Sequence, residues 1–252
     1  MREGRIVFLM GQKKSNTGQS RRQFIRVMTG VFGGFYSLAD PLFTGIRWAW
    51  AESKRIILPK GTERESLVGK NPANLDTRNL EITPLEDFGT MGPTNLAIDL
   101  NVWRLKVAGH VKTPLSLTYA QLIDLPAIER EVLLICPGFF ANHGRWAGFS
   151  IMELLQRAGA ESDVTHVTIR GPEGTYPKVA RYPLKDMLSN KVFLAYRVNG
   201  KDLPRRHGFP LRLVAEGSYG YDWVKYVHEV TVDKIEGKAE STQATKSSTP
   251  FS

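Results

Sequence analysis

The chain has 252 residues, a formal net charge of +9 and a single cysteine. This length suits one compact domain with a substantial core, and one cysteine excludes an internal disulfide framework. Residues 1–51 carry eight of the 34 Lys and Arg but only two of the 25 Asp and Glu, so the remainder is nearly balanced. The charge therefore does not indicate a nucleic-acid-binding protein.

The N-terminal segment has the features of a twin-arginine export signal. Arg21 and Arg22 precede an apolar run from Val27 to Ala39, which is shorter than the roughly 20 residues of a membrane-spanning helix. Small residues at the end of the segment favour cleavage after Ala51. We therefore predict a signal peptide over residues 1–51, export by the twin-arginine machinery and a periplasmic location. A basic N-terminal arm and an uncleaved anchor are the alternatives.

The rest of the chain is predicted to be one domain over residues 52–236, followed by a disordered tail over residues 237–252 that is rich in Ser, Thr and Lys. Four prolines interrupt residues 52–100, so we expect loops there. Alternation of apolar and polar residues predicts a strand over Trp103–Val107, ending at Gly109. Thr118 and Gln121 form a capping-box pattern that predicts a short helix to about Leu125.

A continuous apolar stretch predicts a buried strand over Glu131–Ile135, with Cys136 where the strand gives way to a loop. A second capping-box pattern, Ser150 to Glu153, predicts a helix that ends at Gly159. The remaining predicted elements are strands over 164–170, 192–198, 210–214 and 227–232, a short helix over 184–188 and a turn at 199–200. These patterns predict a mixed, strand-rich α+β fold with sheet-on-sheet packing and short scattered helices.

Cys136 is the feature with the clearest chemical meaning. A free thiol in an oxidising compartment is an oxidation liability, so the residue is either buried and inert or needed for chemistry. A thiolate is a soft, strongly donating ligand that suits a redox metal. The four histidines after residue 136 show no paired spacing on a helix, so the pattern of a structural zinc site is missing from the sequence.

Three segments resemble the catalytic domain of the sulfite-oxidase family of molybdopterin enzymes. The first runs from Cys136 to Phe149 and contains the family's cysteine followed by Trp-x-Gly. The second, Leu203–Val214, is similar to Leu-Pro…His-Gly-x-Pro-Leu-Arg-Leu-Val. The third, Gly217–Val227, is similar to Gly-x-x-Gly…Val-Lys-x-[Val/Ile]. The resemblance covers about residues 79–234 and implies the family's strand-rich molybdopterin-binding fold.

The resemblance implies a molybdenum centre with a single molybdopterin and Cys136 as the only protein ligand and catalytic residue. It also implies cofactor contacts, which we expect from His207, Arg212, Trp223, Val224, Lys225, Gly171, Thr83, Glu86 and Asp87. Arg212 has the geometry to bind phosphate with two hydrogen bonds, and Lys225 can add a point charge. A surface arginine, a loop histidine and an exposed strand lysine are the alternative interpretations of Arg212, His207 and Lys225.

The sequence departs from its relatives around the substrate. Sulfite-oxidising members carry an arginine soon after the cysteine, and the periplasmic methionine-sulfoxide-reducing members, which the chain also resembles, carry a carboxylate two residues after it. Pro137, Gly138 and Phe139 stand there instead. We therefore expect a small, neutral or weakly polar substrate such as a sulfoxide or N-oxide, packed against Phe139 and Phe140, and little oxidation of sulfite.

The predicted function is two-electron, oxygen-atom-transfer chemistry with an external electron partner, either a membrane cytochrome or a soluble c-type cytochrome. Arg145, Arg170 and Arg181 remain candidates for an anion pocket if the fold brings them to the site. A sulfite-type oxidase is the first alternative. A hydrolase with Cys136 as nucleophile and His143 or His207 as base, and a cofactor-free secreted binding protein, are alternatives from other classes.

Overall fold

The computed structural model describes residues 55–173 and 178–234, so the predicted signal peptide and tail lie outside the described residues. Within these ranges the chain forms short helices and predominantly β-strands. The strands are β1 (Ile56–Ile57), β2 (Leu75–Asp76), β3 (Leu105–Gly109), β4 (Leu115–Leu117), β5 (Ala127–Cys136), β6 (Phe140–Phe149), β7 (His166–Arg170), β8 (Val179–Pro183), β9 (Val192–Val198), β10 (Lys201–Asp202), β11 (Arg212–Ala215) and β12 (Glu229–Asp233). The α-helices are α1 (Tyr119–Ile123), α2 (Ile151–Ala158) and α3 (Leu184–Leu188). Single 3-10 turns cover Arg64–Leu67, Pro72–Asn74, Leu85–Asp87, Arg205–His207 and Gly220–Asp222.

Two five-stranded sheets share one hydrophobic core. The first has the order β10-β9-β6-β5, with β11 also paired to β9, and the second has the order β4-β3-β12-β7-β8. The β12–β3 pair is parallel, and the other pairs within these two sheets are antiparallel. Buried residues of both sheets and of α2 belong to the same apolar cluster. The predicted strand-rich α+β fold is confirmed.

The helix boundaries follow local sequence signals. Thr118 and Gln121 form the predicted reciprocal capping box at the start of α1. At α2, Ser150 caps the helix through Met152 N, but Glu153 does not complete the second capping box. Its carboxylate instead accepts a hydrogen bond from Arg157 one turn later, at 2.7 Å, which is the competing i,i+4 pairing.

A hairpin of two ten-residue strands carries the cysteine. β5 is longer than the predicted strand and pairs with β6 from Ala127↔Phe149 to Cys136↔Phe140. β6 continues the sheet by pairing with β9, and its register shifts between Ala147 and Gly148. A Cβ on Gly148 would lie 1.9 Å from Leu194 O, so only glycine permits this close approach at the bulge.

Residues 55–88, which we call the wrap, cross the back of the hairpin. Leu58, Leu67, Leu75 and Leu80 of the wrap form a second apolar cluster with Leu133, Ile135 and Ala141 of the hairpin. Thr83 N donates to His143 O at 2.8 Å, and His143 N donates to Thr83 Oγ1 at 2.9 Å. The hairpin is thus buried on both faces near its turn. In the described part of the chain, no helix has the length and apolar character needed to cross a bilayer.

Candidate functional site

A cleft of about 1070 Å³ opens beside the turn of the hairpin. Four parts of the chain line it: the loop over residues 89–96, which we call the strap, the end of the hairpin around Cys136 and Phe140, the start of β11, and the segment 220–226. Pro172, Glu173 and Lys178 complete the lining. The cleft therefore lies where the three resemblance segments meet, although they are far apart in sequence.

Cys136 ends β5 and is half-buried at the edge of the cleft. Gly138 in the following turn has a φ of 78°, which glycine adopts without strain, and its N–H donates to Val68 O of the wrap at 3.2 Å. The Cys136 Sγ lies 3.9 Å from Met91 Sδ of the strap. Burial raises the pKa of the thiol. The thiol is thus held in place but is not activated as a free nucleophile.

Arg212, at the start of β11, packs against two neighbouring indole rings, whose centroids lie 5.5 Å apart. The guanidinium carbon is 5.5 Å from the Trp146 ring centroid and 5.3 Å from that of Trp223, so both rings stabilise the cation. Nη1 donates to His207 O at 2.9 Å, whereas the buried Nε has no hydrogen-bond partner among the described residues. Burial lowers the pKa of Arg212 to about 10, which leaves it cationic at neutral pH.

Lys225 presents a second cation to the cleft. Its Nζ donates to Thr90 Oγ1 at 2.7 Å, to Arg206 O at 2.8 Å and to Pro93 O at 3.1 Å. Burial and the charge of Arg212 lower the pKa of Lys225 to about 7, while the three oxygen acceptors favour the ammonium form. Across residues 55–173 and 178–234, the ion pairs include neither Arg212 nor Lys225.

His207 lies behind Arg212 and is only 1% exposed. Arg206 Nε donates to its Nε2 at 3.0 Å, and its ring packs edge-on against Phe88. Burial and the neighbouring cations Arg212, Arg206 and Lys225 lower the pKa of His207 to about 3. The imidazole is therefore neutral over the physiological range, and its backbone carbonyl orients Arg212.

The other predicted contacts divide into two groups. In the first group, Trp223 lines the cleft, and Val224, the next residue, is fully buried. Gly171 packs so closely against the backbone of Lys225 that a Cβ on Gly171 would lie 2.9 Å from the carbonyl oxygen of Lys225. Thr83 is buried in the wrap, while Glu86 and Asp87 occupy an exposed 3-10 turn, with Asp87 3.5 Å from Arg64. Of these six residues only Trp223 belongs to the cleft lining, and His207 also lies outside it.

The sequence did not identify residues 91–96 of the strap or Tyr226 as parts of the site, whereas Gly89 and Thr90 follow Glu86 and Asp87 in the segment that resembles the family's pterin segment. Tyr226 lines the cleft with a positive φ of 54°, and its hydroxyl donates to Pro93 O at 3.3 Å. A non-glycine residue in the left-handed region costs conformational energy and often marks a functional site. The sequence signal for residues 91–96 is the pair Gly92-Pro93, which by itself indicates only a loop.

The charges of the site suit an anionic group. Two cations, one with an orphaned buried N–H, face a cleft in which neither is neutralised by a carboxylate of the described residues. In the described ranges no group of three or more His, Cys, Asp or Glu side chains is placed to hold a metal ion. A metal at Cys136 would therefore need most of its ligands from a bound cofactor, and a phosphorylated cofactor fits this donor set.

The three arginines that might have formed an anion pocket point to other partners. Arg145 Nη2 lies 2.9 Å from Glu131, Arg170 Nε lies 3.5 Å from Glu229, and Arg181 Nη2 lies 3.7 Å from Asp233. None of them lines the cleft. Phe140 does line it, but Phe139 is 69% exposed and lies outside the lining, so the expected aromatic pair contributes one ring.

The histidines do not form a nucleophilic pair with Cys136. His143 is fully buried, its Nδ1 lies 3.2 Å from Glu81 O, and its Nε2 has no partner among the described residues. His207 Nε2 is occupied by Arg206. A cysteine hydrolase requires a base within hydrogen-bond reach of the thiol, and this arrangement does not provide one.

Comparisons with known proteins agree with the character of the cleft. The family described as "Oxidoreductase molybdopterin binding domain" matches residues 91–241. Human mitochondrial sulfite oxidase is 32% identical over 194 residues, covering 66% of this chain and 35% of that protein. The protein-methionine-sulfoxide reductase catalytic subunit MsrP of Gluconobacter oxydans is 28% identical over 143 residues, covering 51% and 46%.

Nitrate reductase [NADH] of Volvox carteri is 30% identical over 165 residues, which cover 54% of this chain and 19% of that protein. The chain thus spans less than half the length of these three relatives. Among solved structures, sulfane dehydrogenase SoxCD of Paracoccus pantotrophus has a TM-score of 0.52 at 21% identity, covering 71% of this chain and 50% of that chain. That likeness is one of fold.

Proposed function

The chain belongs to the family of oxidoreductases with a molybdopterin-binding domain, and from that premise we propose that it binds molybdenum through Cys136 and one molybdopterin in the cleft. The proposed activity is two-electron, oxygen-atom-transfer chemistry on a small molecule, carried out in the periplasm. The observation that carries the proposal is the arrangement of Cys136, Arg212 and Lys225 around one cleft, with neither cation paired to a carboxylate of the described residues.

Each residue has a distinct task in this proposal. Arg212, which packs against Trp146 and Trp223, would bind the pterin phosphate, and Lys225 would add a second charge. Cys136 would be the protein ligand, and ligation would offset the cost of deprotonating a half-buried thiol. The bound cofactor would supply the two-electron redox chemistry. The protein would position it, limit access by water and orient the substrate.

Metal and pterin analysis tests the proposal most directly. We expect protein purified from a molybdenum-replete host to contain about one molybdenum and one pterin per chain, because one thiolate leaves room for one dithiolene ligand set. Growth in tungstate serves as the control, since it should replace molybdenum without changing the pterin content. Protein that is fully folded but contains neither molybdenum nor pterin would contradict the proposal.

For the substrate, we propose a sulfoxide or N-oxide. The support is Phe140 in the cleft wall and an uncharged turn after Cys136. The catalytic efficiency on sulfite is expected to stay below about 10⁴ M⁻¹s⁻¹, the lower end of the usual enzyme range. Steady-state assays with sulfite and an artificial electron acceptor, compared with sulfoxide reduction by a reduced dye, measure the difference. Efficient sulfite oxidation would reverse the assignment.

A sulfite-type oxidase is the second candidate. Lys178 lines the cleft in addition to Arg212 and Lys225, and a third cation favours an anionic substrate. The electron partner in either case is proposed to be an external membrane or c-type cytochrome. The assay above also separates these two candidates.

Export by the twin-arginine route is proposed from the sequence of residues 1–51. Replacing Arg21 and Arg22 by lysine keeps the charge but removes the guanidinium pair, so we expect the precursor to accumulate in the cytoplasm. Cell fractionation measures the distribution, and Lys13→Arg together with Lys14→Arg is the matched control. Exported wild-type protein should begin at Glu52. Normal export of the double-lysine variant would rule out the twin-arginine signal.

A further inference from the structure

The amide of Asn142 forms two hydrogen bonds with one residue of the strap. Asn142 lies in β6 opposite Leu134 and is only 3% exposed. Its Oδ1 accepts from Gly89 N at 3.0 Å, and its Nδ2 donates to Gly89 O at 2.9 Å. The pairing fixes the orientation of the amide, because the flipped amide would place donor against donor and acceptor against acceptor. A buried amide that is fully paired in this way specifies the position of its partner.

Gly89 is the point at which the strap meets the hairpin. A Cβ at this position would lie 2.3 Å from Phe140 Cγ, so a side chain would push the strap away from β6. Glycine thus permits the close approach, and Asn142 holds it. The contact joins residues 53 positions apart in sequence and places the strap against the strand that follows Cys136.

The residues that follow Gly89 contact both chemical groups of the cleft. Thr90 Oγ1 accepts from Lys225 Nζ at 2.7 Å and donates to Arg206 O at 3.0 Å. Met91 places its Sδ 3.9 Å from Cys136 Sγ, although its side chain is 47% exposed. Beyond them, Pro93 O accepts from Lys225 and from Tyr226. The strap therefore contacts both the ammonium group of Lys225 and the thiol of Cys136, and Asn142 fixes the N-terminal end of the strap at Gly89.

We propose that Asn142 is a positioning residue that, through the backbone of Gly89, holds the strap over the cleft and so controls access to the Cys136 thiol. Met91 covers the thiol only while the strap is held in place. The effect of this access control on catalysis rests on the proposed function, in which the Cys136 thiolate is the metal ligand. The positioning itself depends only on the contacts around Gly89, Thr90 and Met91.

The test is the reactivity of the thiol in cofactor-free protein. Cys136 is the single cysteine of the chain, so alkylation by iodoacetamide reports on this site alone. For Asn142→Ala, measured well below its thermal midpoint, we expect alkylation about tenfold faster than in the wild type, because two hydrogen bonds that hold the strap closed are lost. Asn142→Asp should change the rate in the same direction, since a carboxylate cannot donate to Gly89 O.

Asn79→Ala is the matched control. Its Nδ2 donates to the backbone oxygen of Leu58 in the wrap, away from the strap, so its removal should leave the alkylation rate unchanged. An unchanged rate in folded Asn142→Ala would overturn the proposal. A merely structural role for Asn142 would lower the thermal midpoint without changing the rate below it.

Hydrogen exchange keeps the proposal testable if Asn142→Ala does not fold. The Gly89 amide should be protected in the wild type and should exchange faster in Asn142→Leu, whose side chain cannot accept from Gly89 N, while the amides of β5 keep their protection. Equal exchange at Gly89 in the two proteins would overturn the proposal. These measurements use cofactor-free protein, so their outcome does not depend on whether the wild type binds molybdenum. The proposed function is decided separately, by the molybdenum and pterin content of the purified protein.

Discussion

Cys136→Ser is expected to abolish turnover and to remove the thiolate-to-metal absorption of the purified protein. A serine hydroxyl is a hard, weakly acidic donor and cannot replace a thiolate as a soft metal ligand. Loss of a partner outside the ligand shell of a metal site costs about 10- to 100-fold in affinity or activity. Because Cys136 is the proposed protein ligand, its loss should lower activity by more than about a hundredfold, as measured by sulfoxide turnover alongside the visible spectrum.

Phe139→Leu is the control for the turn. Phe139 is 69% exposed and lies outside the cleft lining, so this change alters the turn beside Cys136 without altering the cleft. We expect its spectrum and turnover to match the wild type. A Cys136→Ser protein with the wild-type spectrum would show that the thiolate is not the ligand.

Arg212→Met is expected to separate cofactor binding from stability. Charge-assisted hydrogen bonds contribute about 1.5–3 kcal/mol, so losing the guanidinium should weaken cofactor retention by about 10- to 150-fold. The cofactor-free protein should keep a melting temperature close to that of the wild type, because two effects oppose each other. Methionine removes the cost of burying a charge, which lowers the pKa of Arg212 to about 10. It also removes the hydrogen bond to His207 O and the contacts of the cation with both indole rings.

Pterin content after gel filtration and the melting temperature of the cofactor-free protein are the two measurements. Arg170→Met is the control, because Arg170 is a largely exposed arginine paired with Glu229 and lies outside the cleft lining. It should leave pterin content unchanged. A stable Arg212→Met protein with full pterin content would contradict the role proposed for Arg212.

Local signals predicted much of the fold. The helix over 184–188 and the strand over 192–198 have the predicted bounds, and the turn at Asn199-Gly200 joins β9 to β10 with φ values of 52° and 75°. The predicted strands over 210–214 and 227–232 correspond to β11 (Arg212–Ala215) and β12 (Glu229–Asp233). Each begins two residues later and is one residue shorter than predicted. These elements could be predicted because the spacing of their apolar residues matches the face that is buried in the fold, and because their turns contain residues that favour turns.

The sequence did not predict β6, β8 and several short strands. β6 contains Asn142, His143, Gly144 and Gly148, residue types that are mostly unfavourable in strands, and it exists because both β5 and β9 pair with it. Sheet pairing of this kind depends on residues far apart in sequence, which periodicity cannot detect.

The resemblance to the sulfite-oxidase family is confirmed, and the three residues that it implied for the site, Cys136, Arg212 and Lys225, all line the cleft. Their roles stay predictions. Sequence reasoning did not find residues 91–96 of the strap, because Pro93 contributes through its backbone oxygen and Met91 through a contact with Cys136 that no local pattern predicts. Glu86 and Asp87 lie on the exposed turn just before the strap, outside the cleft lining, and their role as cofactor contacts stays a prediction.

The wrap also has a consequence for the order of folding. Its hydrogen bonds between Thr83 and His143 close a loop of 60 residues, and the entropy of closing that loop is lost before the contacts stabilise it. The β5–β6 hairpin, whose strands are joined by three residues, closes at a much smaller entropic cost. We therefore expect the hairpin to form early and the wrap to dock late. Until it docks, Leu133 and Ile135 expose an apolar surface, which is the kind of surface that chaperones recognise on incomplete folds.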